Sequence, residues 1–112
     1  MFKAIKPKDS QDYDLVFTNG WTISTSHCQD CCEHNYADWS SLDDTGFYDE
    51  EFLEDNFWVD KWEGGFRINR YAVNCYSDQS GYYSTDLDIS LIDKDGKRLW
   101  YKSIDCERGE TY

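Results

Sequence analysis

The sequence is short of aliphatic side chains, of proline and of positive charge, and each shortage narrows what the chain can be. Six Leu, six Ile and three Val among 112 residues, with a formal net charge of -12, approach the composition of a disordered segment. A single proline, Pro7, leaves no proline-rich linker, and the length suits one small acidic domain over 1–112. No apolar run approaches a membrane span, and residues 1–6 are basic without the hydrophobic stretch of a signal peptide, so a cytoplasmic protein is expected. Eleven Lys+Arg against 23 Asp+Glu argue against direct binding to nucleic-acid phosphates or to an anionic membrane, since both would repel the chain. The G-x-S-x-G, P-loop and dinucleotide signatures are absent too, so the expectation is a non-enzyme with no catalytic residue and no cofactor.

Aromatic residues compensate for the missing aliphatics. Nine Tyr, five Trp and six Phe can build a core from rings, each of which buries more area than a valine. Tyr13, Leu15 and Phe17 alternate with polar positions, Asn19-Gly20 supplies a turn, and Trp21, Ile23 and Thr25 resume the alternation, which predicts a β-hairpin over 13–27. Residues 66–68 and 71–76 read as extended, with a bulge or bend near Arg70 where the apolar parity changes. Tyr83, Thr85, Leu87, Ile89 and Leu91 form one face of a further strand, and Lys94-Asp95-Gly96 turns it into a last strand over 99–104. Tyr48, Phe52 and Leu53 opposite Glu50, Glu51 and Glu54 suggest one short helix over 48–56. The fold class expected is α+β, mainly an antiparallel β-sheet of about five or six strands with one or two short inserted helices. Leu15, Phe17, Trp21, Ile23, Leu87, Ile89 and Leu91 are its predicted core.

Reactive side chains concentrate just after the hairpin. Cys28, Cys31, Cys32 and His34 include the two-residue Cys spacing that zinc uses, but no second cysteine pair follows, Cys75 and Cys106 being isolated, so no metal is expected. Five cysteines, an odd number without an export signal, point to free thiols or a metal site rather than a disulfide framework. His27, Gln29, Asp30, Glu33 and Tyr36, together with Tyr82 and Tyr83, could instead line a cleft for a small polar ligand such as a nucleotide base.

The run from His27 through Gln29, Asp30, Cys31, Cys32 and Glu33 to His34 and Tyr36, followed later by Ser80-Gly81-Tyr82-Tyr83-Ser84, carries a resemblance. It is similar to the paired His-x-Gln-Asp-Cys-Cys-Glu and Gly-Tyr-Tyr-Ser motifs of a family of small uncharacterised phage and bacterial proteins, over roughly residues 15 to 92. The resemblance implies a phage-associated setting, in the host cytosol, and no mechanism.

Residues 28–60 hold eleven acids and no Lys or Arg. Asp43, Asp44, Asp49, Glu50, Glu51, Glu54 and Asp55, interleaved with rings and followed by Trp58, suit an interface with a basic protein, because a folded polyanion can imitate a phosphate backbone. The function expected is therefore a phage accessory binding protein that associates with, and inhibits, a basic host factor of defence or nucleic-acid handling. A small-ligand or sequestering protein is the first alternative and a zinc-stabilised structural or virion component the second.

Overall fold

A computed structural model of the chain describes residues 1–27, 33–79 and 84–108. In chain order its strands are β1 (Ala4–Ile5), β2 (Asp14–Phe17), β3 (Thr22–Ser26), β4 (Glu33–Asp38), β5 (Val59–Trp62), β6 (Gly65–Ile68), β7 (Tyr71–Gln79), β8 (Asp86–Ile92), β9 (Arg98–Asp105) and β10 (Glu107–Arg108). The β-rich expectation holds, with more strands than the five or six predicted. One sheet has the order β1-β2-β3-β8-β9 and is antiparallel throughout. In the other, the nine-residue β7 carries β4 along one edge, Glu33 opposite Gln79 to Asp38 opposite Asn74. Along its other edge run first β6 and then β10, because Asn74 pairs both Asp38 and Gly65 while Tyr76 pairs both Tyr36 and Glu107. β5 flanks β6.

The two sheets share chain at a corner. Only Cys106 separates β9 from β10, and its N–H donates to the Thr85 carbonyl at 2.7 Å while the next residue joins β7 in parallel. A strand that switches sheets in this way turns a corner between packed layers. Between the layers lie Leu15, Phe17, Ile23, Leu87, Ile89 and Leu91 from one side and Ala37, Phe66, Ile68, Val73 and Cys75 from the other, all buried. The predicted core is thus in place apart from Trp21, which is half-buried. Its ring packs against Phe2 and Phe57, 5.4 and 5.7 Å between centroids, at the rim of a cluster that also holds Phe17 and Phe52. Rings tilted or edge-on at such distances add about 0.5–1.5 kcal/mol per pair beyond their burial, which is how a core poor in aliphatics closes.

The helix expected over 48–56 does not form. Two 3₁₀ turns, Phe47–Asp49 and Glu54–Asn56, flank an extended Phe52 that exchanges backbone hydrogen bonds with Phe2 at 2.8 and 2.9 Å. A helix here would set Glu50 against Glu54 and Glu51 against Asp55, like charges one turn apart, while pulling Phe52 out of the ring cluster. Among the described residues the helical content is 3₁₀ turns alone, a third lying at Trp39–Leu42 with Asp38 as its cap. Of the bulge or bend expected near Arg70, the structure has the bend, a tight turn with Asn69 left-handed at φ 50° and β6 and β7 antiparallel on either side.

Edge strands β5 and β9 share a device. Lys61 stands opposite Phe66 and Lys102 opposite Ile89, positions that face the interior, yet both lysines are exposed. A lysine on the inner face of an edge strand keeps its ammonium in water over the rim of the core and discourages another strand from adding there. β9 also carries a bulge at Leu99, between Arg98 opposite Ile92 and Trp100 opposite Leu91.

Candidate functional site

Of the predicted ligand and metal candidates, Cys28, Gln29, Asp30, Cys31, Cys32, Tyr82 and Tyr83 lie outside the described residues. His27, His34 and Tyr36 are described, and Glu33 is the first residue of β4. Strand alternation separates them. Asn35 and Ala37 point into the core, so His34 and Tyr36 point out from the second sheet, whereas His27 follows β3 with its side chain only 5% exposed and Nδ1 3.8 Å from Asp86 Oδ1. His27 lines an open cavity of about 410 Å3 with Tyr13, Thr25 and Asn35.

Behind that cavity a buried polar network stitches the sheets together. Asn35 Nδ2 donates to the carbonyls of Ser84 (3.0 Å) and Asp86 (2.8 Å), and Asn35 Oδ1 accepts from Ser77 Oγ at 2.5 Å. Gln79 Nε2 donates to Ser77 Oγ and to the Ser84 carbonyl. Asn35, Ser77 and Gln79 are all buried, so the network ties the β4–β7 edge to the start of β8, where backbone groups would otherwise lose water without replacement. Its polar atoms are spent on the fold. Nearby, Cys75 and Cys106 are buried free thiols; a hydrogen bond with Cys106, then burial, pushes the Cys75 thiol up and keeps it protonated. Among the described residues, no group of three or more His, Cys, Asp and Glu gathers into a metal-binding set.

The outward face of the second sheet is different in kind. Phe57 and Val59 pack inward, so Trp58, Asp60 and Trp62 project outward at every second residue. Arg67 stands opposite Asp60 and lays its guanidinium over the Trp62 ring, 3.4 Å from the centroid. Gly65, opposite both Trp62 and Asn74, leaves the middle of that row without a side chain. Across β7 and β4 the same face continues through Tyr76 and Tyr36, 6.0 Å between centroids, with His34 stacked on Tyr36 at 4.9 Å and Asp38 and Asp78 alongside. Trp58 and Trp62 are 45% and 43% exposed. Sequence reasoning singled out Trp58 and Tyr36 and counted Asp60 with the acidic block and Trp62 with its rings, but passed over Arg67 and Tyr76; the Trp58-x-Asp60-x-Trp62 alternation is a strand signal that could have put the three on one face.

The carboxylates predicted to form one surface are spread around this end of the molecule. Asp43 pairs with Lys6 at 3.3 Å. Glu50 accepts from Arg70 (3.1 Å) and from the Tyr71 hydroxyl (2.8 Å), a structural knot that holds β7's start to the acidic segment. Asp44, Asp49, Glu51, Glu54 and Asp55 are exposed, Glu54 making only a 3.3 Å contact with Asn19.

Four phenols among the described residues, Tyr36, Tyr48, Tyr71 and Tyr101, are pushed upward, the first two furthest. Burial first, then the charges of Asp78 and Asp38, push Tyr36 up to about 12, and burial with Asp43 does the same for Tyr48. A folded state that holds protons which the unfolded chain releases near 10 is stabilised by them at lower pH, and that contribution fades as pH rises from about 10 to about 12. An absorbance titration of phenolate followed together with circular dichroism should show these two tyrosines ionising last, coincident with falling stability. Uniform titration of every tyrosine near pH 10 in the folded protein would contradict the assignment.

No known protein family matches the chain, and no characterised protein or solved structure is significantly similar to it.

Proposed function

We propose that the protein is a non-enzymatic binding module that engages a basic protein through the acidic, ring-bearing surface running from residue 51 to residue 62. In the phage setting that the motif resemblance implies, the partner is a basic host factor whose nucleic-acid site the acidic surface occupies. One observation carries the reading: exposed Leu53 and Trp58 bracket Glu54 and Asp55 on one segment, with Glu51 beside them, and no ion pair among the described residues engages those three carboxylates. Large apolar side chains left in water among unneutralised charges of one sign suit a partner that supplies both an anchor pocket and positive charge. Acidic surface alone would be solvation; Trp58 and Trp62, the exposed tryptophans among the described residues, set this segment apart.

The test uses a basic peptide of mixed Lys and Arg, with binding measured by calorimetry over a range of salt. Reversing Glu51, Glu54 and Asp55 to Lys should weaken binding by about tenfold or more and leave folding intact, because exposed charges contribute little to stability. Reversing Asp9, Asp14 and Asp88, on other parts of the surface, should have a much smaller effect at the same change of net charge. Affinity should fall steeply with salt. Equal losses for the two triple variants would reduce the effect to net charge and overturn the proposal.

A further inference from the structure

The outer face of the second sheet already contains one worked example of cation recognition. Arg67 lies over Trp62 at 3.4 Å, with Asp60 on the neighbouring strand directly opposite. A planar guanidinium can stack on an indole at that distance and still aim its N–H groups sideways at carboxylates, whereas an ammonium is a compact, strongly hydrated point charge that cannot do both.

Trp58 repeats the ingredients two residues before Asp60 on the same face, and among the described residues no cation lies over its ring. Its backbone is held firmly while its side chain is exposed. The Trp58 N–H donates to Asn69 Oδ1 at 2.9 Å, the Asn69 N–H donates to the Trp58 carbonyl at 2.9 Å, and Asn69 Nδ2 donates to the Asn56 carbonyl at 3.2 Å. The left-handed Asn69 therefore fixes the segment that presents the ring, and such pre-ordering lowers the entropic cost of binding. Farther across the sheet, Tyr36 and Tyr76 offer phenol rings beside Asp38 and Asp78. Ring faces flanked by carboxylates, on a chain of net charge -12, complement a cation that is flat.

We propose that this face recognises the arginine side chains of its basic partner in preference to lysines, with Trp58 as the principal stacking position and the Tyr36–Tyr76 pair as a second. This rests on the basic-partner reading and adds to it the chemistry that the partner must present.

The experiment compares two synthetic peptides of equal length and charge, one carrying arginine and the other lysine at every charged position, against the full chain. The arginine peptide should bind about tenfold tighter at the same salt. Trp58→Leu should remove most of that preference with an unchanged unfolding midpoint, and Asp60→Asn, a milder change, should reduce it without touching the ring. Equal affinity for both peptides overturns the arginine inference and leaves the basic-partner reading standing. Failure of both peptides to bind at low salt sinks the two together. A preference that survives in both variants, or a dimer of the chain that buries Trp58, removes this face from the role.

Discussion

Gly65→Ala is expected to abolish the native fold. A Cβ at Gly65 would stand 1.9 Å from the Val73 carbonyl oxygen and 3.0 Å from its carbon, which is backbone of the adjacent strand and not a side chain that can swing aside. Relief would require parting β6 from β7, where Gly65 pairs with Asn74, and so disrupting the sheet that carries the candidate face. We expect a loss of more than about 3 kcal/mol, at the upper end of what overpacking costs and enough to unfold a marginally stable domain. Gly46→Ala provides the comparison: a methyl group there would meet no atom within 4 Å, and only the left-handed φ of 86° opposes the substitution, at about 1–2 kcal/mol. Denaturant unfolding of both variants measures the difference, and a Gly65→Ala protein as stable as Gly46→Ala would show that the strands do not approach as described.

Asn35→Leu should be the most damaging substitution of similar volume in the interior. It removes both bonds from Nδ2 to the Ser84 and Asp86 carbonyls and the acceptor of the Ser77 hydroxyl, without opening a large cavity. Each buried group stripped of its partner costs about 1–3 kcal/mol, so a loss on the order of 3 kcal/mol or more is expected even though Gln79 still reaches Ser84 and Ser77. Because the bonds run between sheets, hydrogen exchange should rise at the start of β8 as well as in β4. A leucine variant with wild-type stability would mean that the network contributes no net stabilisation.

Sequence patterns disclosed the elements whose pairing is local. The hairpin of β2 and β3 follows from alternation around Asn19-Gly20, and Gly20 indeed takes the left-handed φ of 89°. β8 and β9 follow from Leu87, Ile89 and Leu91 and the turn at Gly96. β4 escaped notice because Glu33–Asp38 contains no β-branched residue; it is a strand through its partner β7 and through Asn35, whose contacts lie about fifty residues away. The acidic segment misled for a related reason. Its spacing of rings and acids imitates a short amphipathic helix, but Phe52 is claimed by Phe2 from the start of the chain. The candidate face was only half visible, since Trp58 and Tyr36 come from separate stretches and meet on one surface only through the register of β5, β6, β7 and β4.

On the proposed function, a basic partner binds where exposed tryptophans and carboxylates that no ion pair engages among the described residues share a surface. Amide chemical-shift mapping of the intact protein titrated with the arginine peptide addresses it directly. The account predicts the largest shifts at residues 51–62, extending across Arg67 and Tyr76, with the first sheet and the His27 cavity little changed. Shifts concentrated around His27, Tyr13 and Thr25, with Trp58 and Trp62 undisturbed, would contradict it.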